Sequence, residues 1–439
     1  MKFSQVDTMR VPNGAVARIR SKGSTMWEKY PIRARYVSLG DSIAAGHTID
    51  ADWEKNYGEK SQYGKNGNTE TKIVANCYTD LIRKDLLATY GDGRILVVSF
   101  ARSGDTVADL VEKLSHDRVR DAVSKAGYVT VCIGANDVLQ PAFSHLEEYI
   151  MTASLAGATA IIEANMTTLN NDSAATSFVG LFNKLSAINP RAKFAFTTVY
   201  NPYKYLYLHT GHNGFFAPLL DTIPDIRLDV DEIVEDKFGF DDLGYFDVVK
   251  WEWVSIELNA NISSLIKDGL LGTPAVQTLF DRTNALGAIS EGYVTRLNEI
   301  LRNKINGYEN PNFVLAETKA LFDQYPDKTD STEDVDYSDL VNVEFTRNYN
   351  FAKMDWGALW AGSDVGTFWR ELAWKHLHFS NALPSTNVWD YVSFDLNGFA
   401  EDLVEQIITK VIVPDVDPHP EEHGHIVMKQ SFAQAFGWQ

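Results

Sequence analysis

Five short, nearly unbroken apolar runs separated by helical stretches constrain this chain more than any other feature. They occupy 35–39, 94–100, 128–133, 193–199 and 312–316. Runs of this length, apolar or β-branched at successive positions, describe strands covered on both faces. The stretches between them, such as 107–114 and 293–305, read as helices. This alternation predicts an α/β fold with a parallel sheet between two helix layers, and such sheets carry their chemistry at the carboxyl ends of the strands.

At 439 residues the chain is longer than such a sheet needs. Two connections far exceed the usual loop of about 2–6 residues. One spans 204–290 and is rich in Asp, Tyr and Phe. The other spans 323–410 and carries Trp356, Trp360, Trp369, Trp374 and Trp389. Trp356 and Trp360 are four apart, on one face of a helix. Two readings stand for the tryptophans: a core for an inserted subdomain, or an aromatic wall beside a cleft. A shorter polar insertion lies at 50–74. At the front, Asn13-Gly14 and Lys22-Gly23-Ser24 are turn signals, so residues 1–32 read as a small β-rich appendage, too short to fold alone. The expected division is the appendage at 1–32, a core in three pieces (33–203, 291–322 and 411–439), and insertions at 204–290 and 323–410, the second acting as a lid or specificity element.

Charge and composition remove several functions. Lys+Arg 40 against Asp+Glu 59 gives a net charge of −19, which repels phosphate backbones and argues against nucleic acid as a partner. Cys77 and Cys132, the 2 cysteines, cannot form a disulfide framework. No segment approaches the roughly 18 apolar residues of a membrane span, and Met1–Asp7 lacks the apolar run of a secretory leader. The acidic run 221–242 lacks the glycine punctuation of a calcium loop and reads as a solvated face.

The strand ends carry unusual residues. After the first strand comes Gly40-Asp41-Ser42, a serine in a turn at the start of a helix, where developing negative charge is favoured. After the second comes Ser103-Gly104-Asp105, where glycine lets a backbone N–H face a cleft. After the third comes Gly134-Ala135-Asn136-Asp137, whose Asn136 amide is a neutral donor suited to an oxyanion. Near the C-terminus stands Val416-Asp417-Pro418-His419-Pro420, a histidine stiffened by prolines, and then Gly424-His425.

These blocks, in this order, resemble the SGNH hydrolases, the GDSL-type esterases. Tyr200-Asn201-Pro202-Tyr203 and the ending His419-Pro420-x-x-x-Gly424-His425 are similar to bacterial members. The resemblance implies a five-stranded parallel sheet in a flavodoxin-like three-layer α/β/α sandwich, and a serine esterase that uses no cofactor and no metal. It implies Ser42 as nucleophile, His419 as general base and acid, and an oxyanion hole from the Ser42 and Gly104 backbone N–H groups and the Asn136 side chain. The family places its acid three residues before the histidine, where this chain has Val416. Asp417 is the preferred orienting carboxylate and Asp415 its rival.

Plainer readings stand beside these. Ser42 can serve as a helix cap, Asp105 as the cap of a helix starting near Thr106, and Asp137 as a structural residue. His419, His423 and His425 lie close enough to suggest a metal cluster, but no zinc-type partner spacing accompanies them. The resemblance points to an oxygen ester, with acetyl or other short acyl groups on a polysaccharide or glycan ahead of lipids. The segments 15–20 and 25–29 resemble the β-rich starts of phage tail proteins. They imply a virion location, with tail proteins or further copies of the chain as partners through 1–32. The alternatives are a virion structural or receptor-binding protein with a vestigial hydrolase fold, or a lipolytic esterase. A vestigial fold predicts Ser42 and His419 beyond hydrogen-bonding reach.

Overall fold

The computed structural model describes residues 9–11, 14–16, 18–21, 24–28, 32–47, 49, 72–205, 219–220, 262–326, 335–343, 356–379, 392–412 and 416–438. The opening residues form two antiparallel hairpins. Strands β1 (Met9–Val11) and β2 (Gly14–Val16) close with Val11 opposite Gly14, and β3 (Arg18–Ser21) and β4 (Ser24–Glu28) close with Ser21 opposite Ser24.

The central sheet contains β5 (Ala34–Gly40), β6 (Ile95–Ser99), β7 (Tyr128–Cys132), β8 (Lys193–Thr197) and β9 (Phe313–Ala316), in the order β6-β5-β7-β8-β9 and parallel throughout. This is the doubly wound order of flavodoxin-like sheets. The two-residue period of a strand sends alternate side chains to opposite faces, and the two faces differ in chemistry. Val37, Leu39, Val129, Val131, Phe194, Phe196 and Phe313 point to one face and pack against helices Val107–Lys113, Ala156–Asn170 and Phe178–Ile188. Phe182 meets Phe196 edge-on there, with ring centres 4.8 Å apart. The other face is small and hydroxylic. The Tyr36 hydroxyl lies 2.8 Å from that of Thr130, and Thr79 donates to Ser38 at 2.9 Å. Helices Tyr78–Tyr90 and Glu422–Phe436 close onto this side.

Helix Pro274–Gly307 is about 50 Å long at 1.5 Å per residue, with proline at its start, where the missing N–H costs nothing. A boundary drawn at 290 therefore falls inside one continuous helix. Its first half buries Leu279 and Phe280 in the same cluster as Trp369 and Leu403. Trp369 is fully buried, 5.2 Å from Phe368 and 6.2 Å from Phe399. Trp360 and Trp374 pack against that cluster. Trp369 is core, and Trp360 and Trp374 are half-buried against it. Trp356 begins a short 3-10 turn, Trp356–Trp360, and not an α-helix. The Trp356 side chain, Trp389, the acidic run 221–242 and most of the 50–74 insertion lie outside the described residues. Among the described residues, no helix is long and apolar enough to cross a membrane.

Candidate active site

Strands β5, β6, β7 and β8 each deliver residues to one cleft at their carboxyl ends. β5 ends at Gly40 with φ +149°, and a Cβ there would collide with the Cys132 carbonyl oxygen, so only glycine lets β5 pass β7. Asp41 then caps the helical turn Ser42–Ala45, its Oδ1 accepting from the Ile43 N–H at 3.1 Å. Ser42 is the first residue of that turn, where its own N–H has no acceptor within the helix.

Ser42 Oγ lies 2.7 Å from His419 Nε2. His419 stands on β13 (Val416–Pro420), the last strand of the chain. β13 pairs antiparallel with β10 (Val341–Val343), placing Val341 opposite Pro420. Between these lie β11 (Leu377–Phe379) and β12 (Val392–Phe394), which form a hairpin of their own. Tyr200, just past β8, donates its hydroxyl to the Pro418 carbonyl at 2.7 Å, and its ring stacks on Phe322 at 4.4 Å. It thereby ties the residue before the base to the sheet. The sequence marked Tyr200 only through its place after a strand end and its Tyr200-Asn201-Pro202-Tyr203 block, neither of which points to Pro418. Asp417 lies on β13, its side chain outside the described residues, as is the whole of Asp415.

Gly104 has φ +81° and open space where a Cβ would stand, so conformation and not crowding requires glycine. Asn136 sits in the first turn of helix Ala135–Ser144, and its Nδ2 donates to the Asp105 carbonyl at 2.9 Å. An amide nitrogen carries two protons, so one remains for a ligand. Ser42, Gly104, Asn136 and His419 line one cavity of about 280 Å³.

Asp105 corrects the sequence expectation. Thr106 itself caps helix Val107–Lys113, in a reciprocal box with Asp109. With the cap supplied, Asp105 turns inward to an ion pair with Lys113 and accepts from Arg102 Nε at 2.6 Å. Lys113 also donates to the Phe100 carbonyl at 2.7 Å. Burial pushes the Asp105 carboxyl up and the Lys113 amine down, and their mutual attraction opposes both. The pair anchors the loop that carries Gly104 and supplies the carbonyl holding Asn136.

Asp137 is structural, accepting from the Val107 N–H at 3.0 Å, and burial pushes its carboxyl up to about 7. Burial likewise pushes Asp41 up to about 7, against the Ile43 N–H and the nearby His419. Among the described residues no cluster of His, Cys, Asp and Glu side chains could hold a metal ion. The three late histidines diverge. His419 meets Ser42, and His423 meets the edge of Tyr325 at 6.2 Å. His425 accepts from the Tyr78 N–H at 3.3 Å, at the start of helix Tyr78–Tyr90.

His425 makes a pH prediction. Burial pushes it down to about 3, from 6.5. Between those values the unfolded chain binds a proton that the folded chain refuses, so this residue makes stability fall as pH falls. The loss is about 1.4 kcal/mol per pH unit. His425→Asn keeps an acceptor near Nδ1 and abolishes the titration. Wild type is therefore expected to lose roughly 2 kcal/mol relative to the variant between pH 6.5 and 5 in urea unfolding. A difference constant with pH contradicts this.

The arrangement supports acyl transfer. With the proton of His419 on Nδ1, Ser42 can donate to Nε2 and would give up its proton as Oγ attacks an ester carbonyl. An oxyanion formed there would fall to the donors that the sequence expectation names, the Ser42 and Gly104 N–H groups and the Asn136 amide, all of which line this cavity. His419 returns the proton to the departing alcohol, and water then repeats the sequence on the acyl-enzyme. Asn136→Ala is expected to lower kcat about 100- to 1000-fold with KM little changed. A loss below about fivefold removes Asn136 from the oxyanion hole.

Residues 36–235 match the family model of GDSL-like lipases/acylhydrolases. Similar solved structures include an acetylxylan esterase from Geobacillus stearothermophilus, 13% identical over 94% of this chain and 97% of that one, with TM-score 0.33. A phospholipase A1 from Streptomyces albidoflavus NA297 is 12% identical over 66% and 82%, with TM-score 0.35. A lipase, Lip_vut3, from a goat rumen metagenome is 14% identical over 66% and 82%, with TM-score 0.31. No curated protein matches the chain.

Proposed function

We propose that this chain, whose residues 36–235 match the family model of GDSL-like lipases/acylhydrolases, is a serine ester hydrolase that removes acetyl or other short acyl groups from a carbohydrate. The observation that carries this reading is the make-up of the cavity wall. Ile43, Leu139 and Val199 are its aliphatic part, Tyr200 and Tyr203 its aromatic part, and Ser103 and Gln140 add neutral hydrogen-bonding groups. Among the described residues no Lys or Arg lines it. An apolar patch with neutral donors and acceptors suits a short acyl group joined to a hydroxyl-bearing alcohol, and gives a phosphate nothing to pair with. A cavity of about 280 Å³ sits near the lower end of the roughly 300–1,000 Å³ usual for small-ligand clefts, in keeping with a small acyl group. Tyr200 and Tyr203, and no described tryptophan, form the aromatic side of the cavity.

Asp417 is the proposed orienting carboxylate of His419. The test of substrate class compares kcat/KM for an O-acetylated methyl xyloside and for p-nitrophenyl dodecanoate. A preference of at least about tenfold for the acetyl sugar is the expected result; a preference for the long chain turns the reading to a lipolytic esterase.

Attachment to a virion through residues 1–32 belongs to the same proposal, supported by the paired hairpins β1–β2 and β3–β4. Deleting residues 1–32 is expected to change the oligomeric state in light scattering while leaving p-nitrophenyl acetate hydrolysis intact. A truncated chain with the oligomeric state of the full chain argues against it.

A further inference from the structure

One contact at the catalytic base belongs to none of the motif blocks. The His47 ring lies flat against the His419 ring, centres 4.1 Å apart and planes 17° from parallel. The His47 backbone N–H donates to the Ser42 carbonyl at 3.0 Å, so this residue is fastened to the nucleophile's own turn while its ring covers the base. His47 is not among the described residues lining the cavity, and its ring contact is with the base. Gly46, with φ +79°, turns the chain at this point over Val74 and Cys77.

We propose that His47 is a positioning residue, neutral in the active enzyme, whose ring holds the His419 plane for proton transfer and faces the imidazolium that forms. When Ser42 gives its proton to His419 Nε2, the positive charge appears 4.1 Å from the His47 ring. A neutral aromatic face attracts that charge, whereas a protonated one repels it. The active form is the doubly neutral one.

Other titrating groups face His419. Asp41, beside Ser42, and His425, on the helix that follows β13, both act on it through their charge. Asp417 shares its strand. All three are retained when only residue 47 is changed, so their contributions cancel in the comparison.

The inference rests on the Ser42–His419 chemistry and not on which ester is cleaved. The test is the pH profile of kcat/KM for p-nitrophenyl acetate in wild type, His47→Phe and His47→Ala. Wild type is expected to lose activity on the acid side with a slope approaching two protons. His47→Phe keeps a flat ring without the second titration, so it is expected to retain at least about half of the wild-type rate at pH 8, with a slope of one. His47→Ala is expected to lose about tenfold in kcat at every pH with KM unchanged. Identical slopes in wild type and His47→Phe, or an unchanged kcat in His47→Ala, overturn the proposal. Proton NMR of the wild-type imidazoles checks it independently of the variants: coupled two-step titration of both rings supports it, and two independent single-step curves overturn it.

Discussion

Ser42→Ala is expected to lower kcat for p-nitrophenyl acetate by on the order of 10⁵- to 10⁶-fold. The magnitude follows from what the hydroxyl does. At 2.7 Å from His419 Nε2 it is placed to be both the atom that bonds to the acyl carbon and the source of the proton that His419 later returns. Without it His419 has no nucleophile to activate, and only the oxyanion donors and the cavity remain, worth about 10³- to 10⁴-fold over water in triad enzymes. Ser42 is 5% exposed and its loss removes one oxygen, so folding should be preserved, and circular dichroism and the melting temperature provide the check. Retention of more than about a hundredth of the wild-type rate would falsify the assignment of Ser42 as nucleophile.

Lys113→Met is expected to cost about 3–5 kcal/mol of unfolding free energy, the largest stability effect of any substitution considered for this site. Lys113 is 4% exposed and pairs with Asp105, which is fully buried. Removing the cation leaves the Asp105 carboxylate in the interior with Arg102, whose side chain is 27% exposed. It also strips a donor from the Phe100 carbonyl. Urea denaturation measures the loss, and a value under about 1 kcal/mol contradicts it. The double variant Lys113→Met with Asp105→Leu discriminates further. With both charges gone, the penalty for an unpaired buried ion disappears, and much of the stability is expected to return. Lys113→Met should also lower kcat, because Asp105 holds Asn136 and flanks Gly104.

The sheet was legible in sequence because a strand buried on both faces leaves a local mark. The apolar runs at 35–39, 128–133 and 312–316 match β5, β7 and β9 to within one residue at each end. Helix Pro274–Gly307 was legible only in its second half, 293–305. Its first half buries residues against a different cluster, so the pattern changes along its length. Asp105 was misread because an acidic residue before a helix looks like a cap whether or not a better one follows. The Thr106–Asp109 box took that task and freed Asp105 for the interior. His47 and Tyr200 gave no local sign of their contacts, because His47 meets a ring 372 positions away and Tyr200 a carbonyl 218 away.

The sequence by itself determined the alternation of strands and helices, the glycines that the strand ends require, and the residue types offered at each end. These are properties of short windows, set by backbone sterics and by the periodicity of burial. Tertiary structure alone decided which of those residues meet. Ser42 and His419 are 377 positions apart, and they touch because β13 pairs with β10 and Tyr200 ties Pro418 to the sheet. The same packing decided that Asp105 faces Lys113 and that His47 covers the base. Each of these contacts depends on where distant elements dock, and no local pattern encodes that.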